Sequence, residues 1–181
     1  MRASAVYLKP GDLCHAESPT VVSTILGSCV AVIMFNPGRK VGSICHAMLP
    51  RNPSSHRGEA FRYVDSSILY MVERFRALGV RTNEMEVKLF GGADVLEHRG
   101  ENGASVGCQN IEIALETIGE VGLRLIVSDV GGKVGRKLCF YTHTGEVLLK
   151  RMAGSAVQTT WVPGDTGMIF TCATGRRGYG E

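Results

Sequence analysis

The sequence predicts an α+β fold: a single domain built as a layered sandwich of mixed β-sheets and flanked by two long helices. Three observations support this prediction. Short runs of β-branched and apolar residues, each bounded by turn residues, predict several strands. Two stretches with apolar residues three to four positions apart predict amphipathic helices. No internal repeat, low-complexity tract or long charge block divides the 181 residues, so we expect one domain over residues 1–181, with 175–181 as a flexible tail.

The first predicted strands form a group near the start of the chain. Val21 to Leu26 and Val30 to Phe35 are short apolar runs separated by Gly27-Ser28. Asn36-Pro37-Gly38 is a strong turn signal, and Val41 to Leu49 is the strand that returns. The pattern therefore predicts a hairpin, preceded by a strand that ends in a Gly-Ser turn.

Two helices follow from the spacing of apolar residues. The first is predicted from Ser66 to Leu78, with Asp65 as its N-cap and Gly79 as its stop. The second is predicted from Asn110 to Val121, with Gly122 as its stop. Each helix has one apolar face, so we expect both to lie on sheets.

Four further strands are rich in β-branched and apolar residues, and the last two of them are joined by a short turn at His143-Thr144-Gly145. They are Met85 to Phe90, Leu123 to Val130, Lys137 to Thr142 and Glu146 to Arg151.

Charge and hydropathy exclude several classes of function. The chain has 20 Lys+Arg and 17 Asp+Glu, and its net charge of +3 is too small to indicate a nucleic-acid surface or an anionic membrane partner. The first residues lack the apolar core and cleavage site of a signal peptide, so we expect the cytoplasm. Ser18 to Gly38 is uncharged and long enough to cross a bilayer, but its prolines and glycines favour two buried strands over a membrane span.

Cysteine and glycine patterns do not predict a cofactor. The six cysteines are scattered without a CxxC pair, and no HxxxH pair accompanies them, so we expect no metal site. Most of the cysteines should be small buried side chains. Gly91-Gly92 and Gly131-Gly132 do not fit a phosphate loop or a dinucleotide fingerprint, and are interpreted as turns or points of close approach.

One cysteine and one histidine are placed to carry chemistry together. Cys29 follows the Gly27-Ser28 turn, where its sulfur can face a cleft and backbone N–H groups can hold an oxyanion. His46 lies near the end of the returning hairpin strand, so the hairpin brings it beside Cys29. A neutral imidazole can take the thiol proton and make a nucleophile for acyl transfer. The alternative is that Cys29 is only a packed cysteine beside a glycine.

A third group should orient His46 through its other ring nitrogen. The hydroxyl of Ser23 or of Thr24, on the preceding strand, can accept this hydrogen bond. Both residues are therefore candidates at this point.

Four segments in this order resemble one known family. They are Leu26-Gly27-Ser28-Cys29-Val30, Val41-Gly42 followed by His46-Ala47-Met48-Leu49-Pro50, Lys88-Leu89-Phe90-Gly91-Gly92-Ala93, and Asp129-Val130-Gly131-Gly132 with Gly135-Arg136-Lys137. Together they resemble the chemoreceptor glutamine deamidases called CheD, over nearly the whole chain.

The resemblance implies roles for three residues. Cys29 would be the nucleophile and His46 the general base, in a fold and site resembling those of deamidating bacterial toxins, which are cysteine hydrolases. The family usually has a threonine six positions before the cysteine, and this chain has Ser23 there. Thr24 is the alternative, but adjacent strand residues point to opposite faces, so we expect Ser23 to complete the site.

The resemblance also implies a function. It predicts a protein-glutamine deamidase that converts glutamine side chains of chemoreceptors to glutamate, with release of ammonia, through a cysteine thioester, in bacterial chemotaxis adaptation. Hydrolysis of glutamyl methyl esters is a possible side activity. The implied partners are the cytoplasmic helices of chemoreceptors, as substrate, and a CheC-type phosphatase. The alternative is a regulatory module that docks on either partner with little catalytic role; the presence of both Cys29 and His46 favours the enzyme.

Overall fold

The computed structural model describes residues 3–53, 61–94, 104–153 and 156–160. Within these ranges the chain forms ten strands and two α-helices. The strands are β1 Ser4–Tyr7, β2 Leu13–Ala16, β3 Thr20–Leu26, β4 Val30–Asn36, β5 Val41–Cys45, β6 Glu86–Gly91, β7 Arg124–Val130, β8 Gly135–Tyr141, β9 Val147–Ala153 and β10 Ala156–Thr160; the helices are α1 Val64–Ala77 and α2 Val106–Glu120. The predicted tail, 175–181, lies outside the described residues.

The strands form two mixed sheets. The outer sheet has the order β1-β3-β8-β9-β10, and the central sheet has the order β2-β5-β4-β6-β7. Each sheet combines antiparallel pairs with one parallel pair, β1 with β3 in the outer sheet and β6 with β7 in the central sheet. The predicted α+β sandwich of mixed sheets is confirmed.

Two apolar clusters separate the three layers. One lies between the sheets and includes Val22, Leu26, Ile33, Ile44 and Phe140. The other lies between the central sheet and the helices, both of which contact that sheet on the same side. The molecule is therefore layered as outer sheet, central sheet and helix pair, and alternating side chains of the central sheet serve both cores.

The predicted strands are confirmed with small shifts at their ends. The hairpin of β4 and β5 is antiparallel as expected, but β5 ends at Cys45, four residues before the predicted end. Beyond it the pairing continues only as an isolated bridge between Val30 and Ala47. The uncharged segment forms β3 and β4, as the strand interpretation required, and no helix in the described ranges has the length and apolarity to cross a membrane.

Three strands and two helix starts differ from expectation. β1, β2 and β10 were not predicted, because each has only four or five residues and little apolar alternation. Helix α1 begins at Val64, and Asp65 lies inside its first turn, so the prediction that Asp65 caps the helix is wrong. Helix α2 begins four residues before the predicted start, where Ser105 accepts a hydrogen bond from the Cys108 N–H.

Candidate active site

Cys29 lies where the chain passes from one sheet to the other. β3 belongs to the outer sheet and β4 to the central sheet, and only the residues 27–29 connect them. The predicted Gly-Ser turn is therefore a crossing between layers. Cys29 is half-buried and packs against the apolar cluster between the sheets. This position places the sulfur at one end of the space between the sheets.

The Gly91-Gly92 pair lies directly against the backbone of the Cys29 loop, residues 27–29. The Gly92 N–H donates to the Cys29 carbonyl at 2.8 Å, and the Ala93 N–H donates to the Gly27 carbonyl at 2.8 Å. A Cβ placed on Gly91, whose φ is +104°, would lie 2.3 Å from the Cys29 carbonyl oxygen. The interpretation of this pair as a point of close approach is therefore confirmed.

The second pair, Gly131-Gly132, forms backbone hydrogen bonds with the segment that contains the first pair. The Gly131 N–H donates to the Gly91 carbonyl at 2.8 Å, and the Asp94 N–H donates to the Gly132 carbonyl at 2.7 Å. Gly131 and Gly132 have φ of +72° and +71°, the left-handed region that favours glycine. Three loops, from β3, β6 and β7, are thus stacked through backbone hydrogen bonds.

His46 is diagonal to Cys29 across a short antiparallel bridge. Val30 and Ala47 exchange two backbone hydrogen bonds, of 3.0 and 2.9 Å. This register places Ala31 opposite His46 and Cys29 opposite Met48. Cys29 and His46 are therefore on the same face of the ladder, two positions apart along the strands. Diagonal neighbours of this kind are about 7–8 Å apart, within reach of long side chains.

Thr24 is the residue that contacts the His46 ring. Its hydroxyl oxygen lies 2.8 Å from His46 Nδ1 and also donates to the Leu8 carbonyl at 2.8 Å. Because a hydroxyl has one proton and gives it to Leu8, its oxygen accepts from an Nδ1–H group. The neutral imidazole then has its lone pair on Nε2, which is the nitrogen available to act as a base.

The expectation that Ser23 rather than Thr24 faces the cleft is wrong. Thr24 is fully buried between the sheets, whereas Ser23 is half-buried on the other face of β3. Ser23 pairs there with Tyr7 of β1 and Cys139 of β8. The alternation of side chains was the correct principle, but Ser23 was assigned to the wrong face.

The loop between β1 and β2 holds the backbone of His46. The His46 N–H donates to the Asp12 carbonyl at 2.9 Å, and the His46 carbonyl accepts from the Gly11 N–H at 2.8 Å. His46 is only 2% exposed, and burial lowers its pKa below the usual 6.5, against opposing effects of the Leu8 carbonyl and Asp12. The contribution of this loop was not predicted, because its residues carry no motif of their own.

At neutral pH, the pKa shifts of Cys29 and His46 both favour the uncharged thiol and imidazole. Burial raises the pKa of Cys29, and the donation of its own backbone N–H to the sulfur opposes this effect only in part. With the pKa of His46 lowered, the two shifts favour thiol and imidazole over thiolate and imidazolium. The imidazole is therefore free to accept a proton, and the thiol retains its own.

Two backbone N–H groups at the turn are available to a substrate oxygen. Within the described ranges, the N–H groups of Ser28 and Cys29 donate to no other residue. The Cys29 N–H also lies against its own sulfur. These two N–H groups are therefore the donors at the turn that a substrate oxygen could use.

An ion network lies next to the Cys29 turn, and in it Asp129 and Arg136 are buried while Arg151 is partly exposed. Asp129 on β7 accepts from Arg136 Nε at 2.6 Å and from Arg151 Nη2 at 2.5 Å. Arg136 is directly opposite Leu26, the last residue of β3 before the Cys29 turn. The network therefore joins the two sheets beside the site. In the described residues, no three His, Cys, Asp or Glu side chains are grouped as metal ligands.

Comparison with known proteins identifies the family. A profile described as CheD chemotactic sensory transduction matches residues 48–151. The probable chemoreceptor glutamine deamidase CheD 2 of Geobacter sulfurreducens is 51% identical over 147 residues, which cover 81% of this chain and 89% of the relative. The probable chemoreceptor glutamine deamidase CheD of Maridesulfovibrio salexigens is 44% identical over 155 residues, which cover 81% of this chain and 91% of the relative.

A solved structure, that of the hypothetical protein YfiH of Bacillus licheniformis, has a TM-score of 0.46 at 14% identity, over 66% of this chain and 51% of that one. That likeness supports no inference about function. The profile covers more than half of the chain, and the two curated relatives align along most of their length. The chain therefore belongs to the CheD family.

Proposed function

We propose that this protein is a chemoreceptor glutamine deamidase in which Cys29 is the nucleophile and His46 the general base. The observation that carries the proposal is the 2.8 Å contact between Thr24 and His46 Nδ1, because it leaves Nε2 as the free acceptor. His46 and Cys29 are diagonal neighbours on one face of the ladder. The relatives named as chemoreceptor glutamine deamidases support the same reaction.

The reaction proceeds in two balanced halves. In the first, Cys29 Sγ attacks the carboxamide carbon while His46 Nε2 takes the thiol proton. The carbon–nitrogen bond then breaks, His46 returns the proton to the departing ammonia, and a thioester remains. In the second half, His46 takes a proton from water, whose oxygen attacks the thioester carbon. The carbon–sulfur bond then breaks, and His46 returns the proton to the Cys29 sulfur, which restores the thiol. The net change is glutamine plus water to glutamate plus ammonia.

The resting charges explain why the site can tolerate burial. A neutral thiol beside a neutral imidazole costs less desolvation energy than a permanent ion pair would. Charge develops only when the carbonyl oxygen becomes an oxyanion, and the N–H groups of Ser28 and Cys29, which donate to no other residue in the described ranges, are its proposed donors. Leu8 and Thr24 keep the imidazole in the tautomer that accepts the proton.

The direct test is deamidation of a chemoreceptor cytoplasmic fragment, followed by mass spectrometry and ammonia release. We expect Cys29→Ala and His46→Ala each to abolish turnover while the circular dichroism spectrum stays that of a folded protein. Cys14→Ala, which replaces another free thiol on β2, should retain activity and serves as the matched control. Turnover by Cys29→Ala at the wild-type rate would rule out Cys29 as the nucleophile, whereas no turnover by the wild-type protein would favour a docking module.

A second test needs no receptor. Iodoacetamide should alkylate Cys29 faster than Cys45, which is fully buried and whose pKa is raised to about 11. His46→Ala should slow alkylation of Cys29, because the base that removes its proton is gone. Peptide mapping after a short pulse measures both rates. Equal rates for Cys29 in the two proteins would contradict the role of His46.

The proposal also specifies the substrate, a side activity and a regulatory partner of the protein. The substrate is a glutamine on the cytoplasmic helices of a chemoreceptor, so the site of action is the cytoplasm. The same thioester route hydrolyses a glutamyl methyl ester, with methanol leaving in place of ammonia. A CheC-type phosphatase is the proposed regulatory partner, and co-purification with and without this phosphatase tests it.

A further inference from the structure

Asn110 joins the two loops that carry the proposed catalytic residues. It lies on α2, is fully buried, and its single Nδ2 group donates to the Ser28 carbonyl and to the Met48 carbonyl, both at 3.0 Å. Ser28 directly precedes Cys29, and Met48 follows His46 by two residues. One amide group therefore contacts the nucleophile's loop and the base's loop at once.

The orientation of this amide follows from its partners. Both neighbours are carbonyl oxygens, which only accept, so the NH₂ end must face them and the oxygen must face away. Within the described part of the chain, Asn110 Oδ1 is buried and has no hydrogen-bond partner. A buried acceptor without a partner is destabilising, so an asparagine here is not explained by packing alone.

The register of the backbone shows what the two hydrogen bonds control. Cys29 and Met48 are opposite each other across the Val30 to Ala47 bridge, at the point where regular pairing of β4 and β5 has already ended. Beyond that bridge, Asn110 is the described link between the two loops. Separation of the loops there would increase the distance from Cys29 to His46.

We propose that Asn110 is a positioning residue that sets the spacing of Cys29 and His46. It touches neither reacting atom, and acts by holding the carbonyls of Ser28 and Met48 together. The inference rests on the proposed function, because it assumes that Cys29 depends on His46 for its reactivity. It also makes α2, which contains none of the proposed catalytic residues, part of the catalytic apparatus.

The test uses two variants and one matched control. Asn110→Asp keeps the size of the side chain and removes both donors, and Asn110→Leu removes them without adding charge. Thr117→Val is the control, since Thr117 lies on the same helix, is 3% exposed, and has a buried hydroxyl without a partner in the described residues. Circular dichroism and thermal melting establish which of the proteins are folded.

The readout is the rate of Cys29 alkylation by iodoacetamide, measured with His46 present and in the His46→Ala background. With His46 present, both Asn110 variants should slow alkylation by about tenfold, as expected for loss of a supporting interaction, while Thr117→Val stays at the wild-type rate. In the His46→Ala background, the Asn110 variants should cause no further change, because a spacing effect needs both partners.

Three other results of the alkylation experiment would contradict the positioning role or the mechanism on which it rests. Wild-type rates in either folded Asn110 variant overturn the positioning role, and so does an equal slowing in both backgrounds, which would indicate altered access to Cys29 instead. If His46→Ala alone leaves the Cys29 rate unchanged, the proposed mechanism fails, and the inference about Asn110 fails with it. The His46→Ala variant alone therefore distinguishes failure of the proposed mechanism from failure of the positioning role of Asn110.

Discussion

The tightest backbone contact at the site is the approach of Gly91 to the Cys29 loop, and Gly91→Ala should disrupt it. The new Cβ would lie 2.3 Å from the Cys29 carbonyl oxygen and 3.2 Å from the Val30 Cα. Ordinary contacts begin near 3.4 Å, so the loop must move by about 1 Å. The oxygen that is displaced also accepts the 2.8 Å hydrogen bond from Gly92, which would lengthen or break.

The magnitude follows from three contributions. A left-handed φ of +104° at a non-glycine residue costs about 1–3 kcal/mol. Forcing an extra carbon against a packed backbone costs about 1–3 kcal/mol. Loss of one backbone hydrogen bond costs about 1 kcal/mol. We therefore expect Gly91→Ala to lower the free energy of unfolding by about 3–7 kcal/mol, a large part of the 5–15 kcal/mol that is usual for a domain.

Gly131→Ala is the matched control for this prediction. Its φ is +72°, and a Cβ there meets no atom of the described residues within 4 Å, so only the backbone cost of about 1–2 kcal/mol applies. Urea unfolding measures stability, and ammonia release from a receptor fragment measures turnover. Gly91→Ala should lose most activity and Gly131→Ala should keep most of it. Equal losses of stability would refute the argument from close approach.

The remaining predictions concern the histidines and their neighbours. Thr24→Val should lower turnover by about tenfold to a hundredfold, because it removes the partner of His46 Nδ1, while Ser23→Ala should have a small effect on the same ammonia assay; the reverse order would contradict the assignment. The deamidation rate should hold down to about pH 6.5 and fall below it, because neutral His46 is the base and burial lowers its pKa; an acid limb above neutral pH would contradict this. Burial, followed by the charge of Arg74, lowers the pKa of His15, so the unfolded chain takes up a proton more readily than the folded protein. This contribution to stability is therefore complete above about pH 6.5 and is lost as the pH falls below that value, and His15→Leu should reduce the loss in urea unfolding at acid pH.

Much of the fold was predictable from local pattern. The runs that form β3, β4, β6, β7, β8 and β9 were recognised within a few residues, since each is a short apolar stretch bounded by turns. The wrong or missing predictions concern the starts of the two helices and the short strands at the sheet edges. Asp65 is a good capping residue by type, but α1 begins at Val64, where the chain leaves the bridge between Leu49 and Tyr63. Propensity cannot detect such a tertiary constraint.

One error at the site could have been avoided from the sequence. Thr24 shares a strand face with Val22 and Leu26, both apolar and both buried between the sheets. The period of two therefore assigns Thr24 to the inside and Ser23 to the outside. The two apolar neighbours were the available signal, and they outweigh the family's usual position for the hydroxyl.

The sequence by itself determined the α+β class and the family, and it predicted the pairing of Cys29 with His46, because strand period, turn chemistry and short motifs are local properties of the chain. Only the tertiary structure decided that the Gly27-Ser28 turn crosses between sheets, that Thr24 contacts His46, and that Asn110 joins the loops of Ser28 and Met48. Asn110 and Ser28 are 82 positions apart in the chain. Contacts of this separation depend on how the layers pack, since no periodicity within one segment encodes which distant carbonyl a side chain will reach.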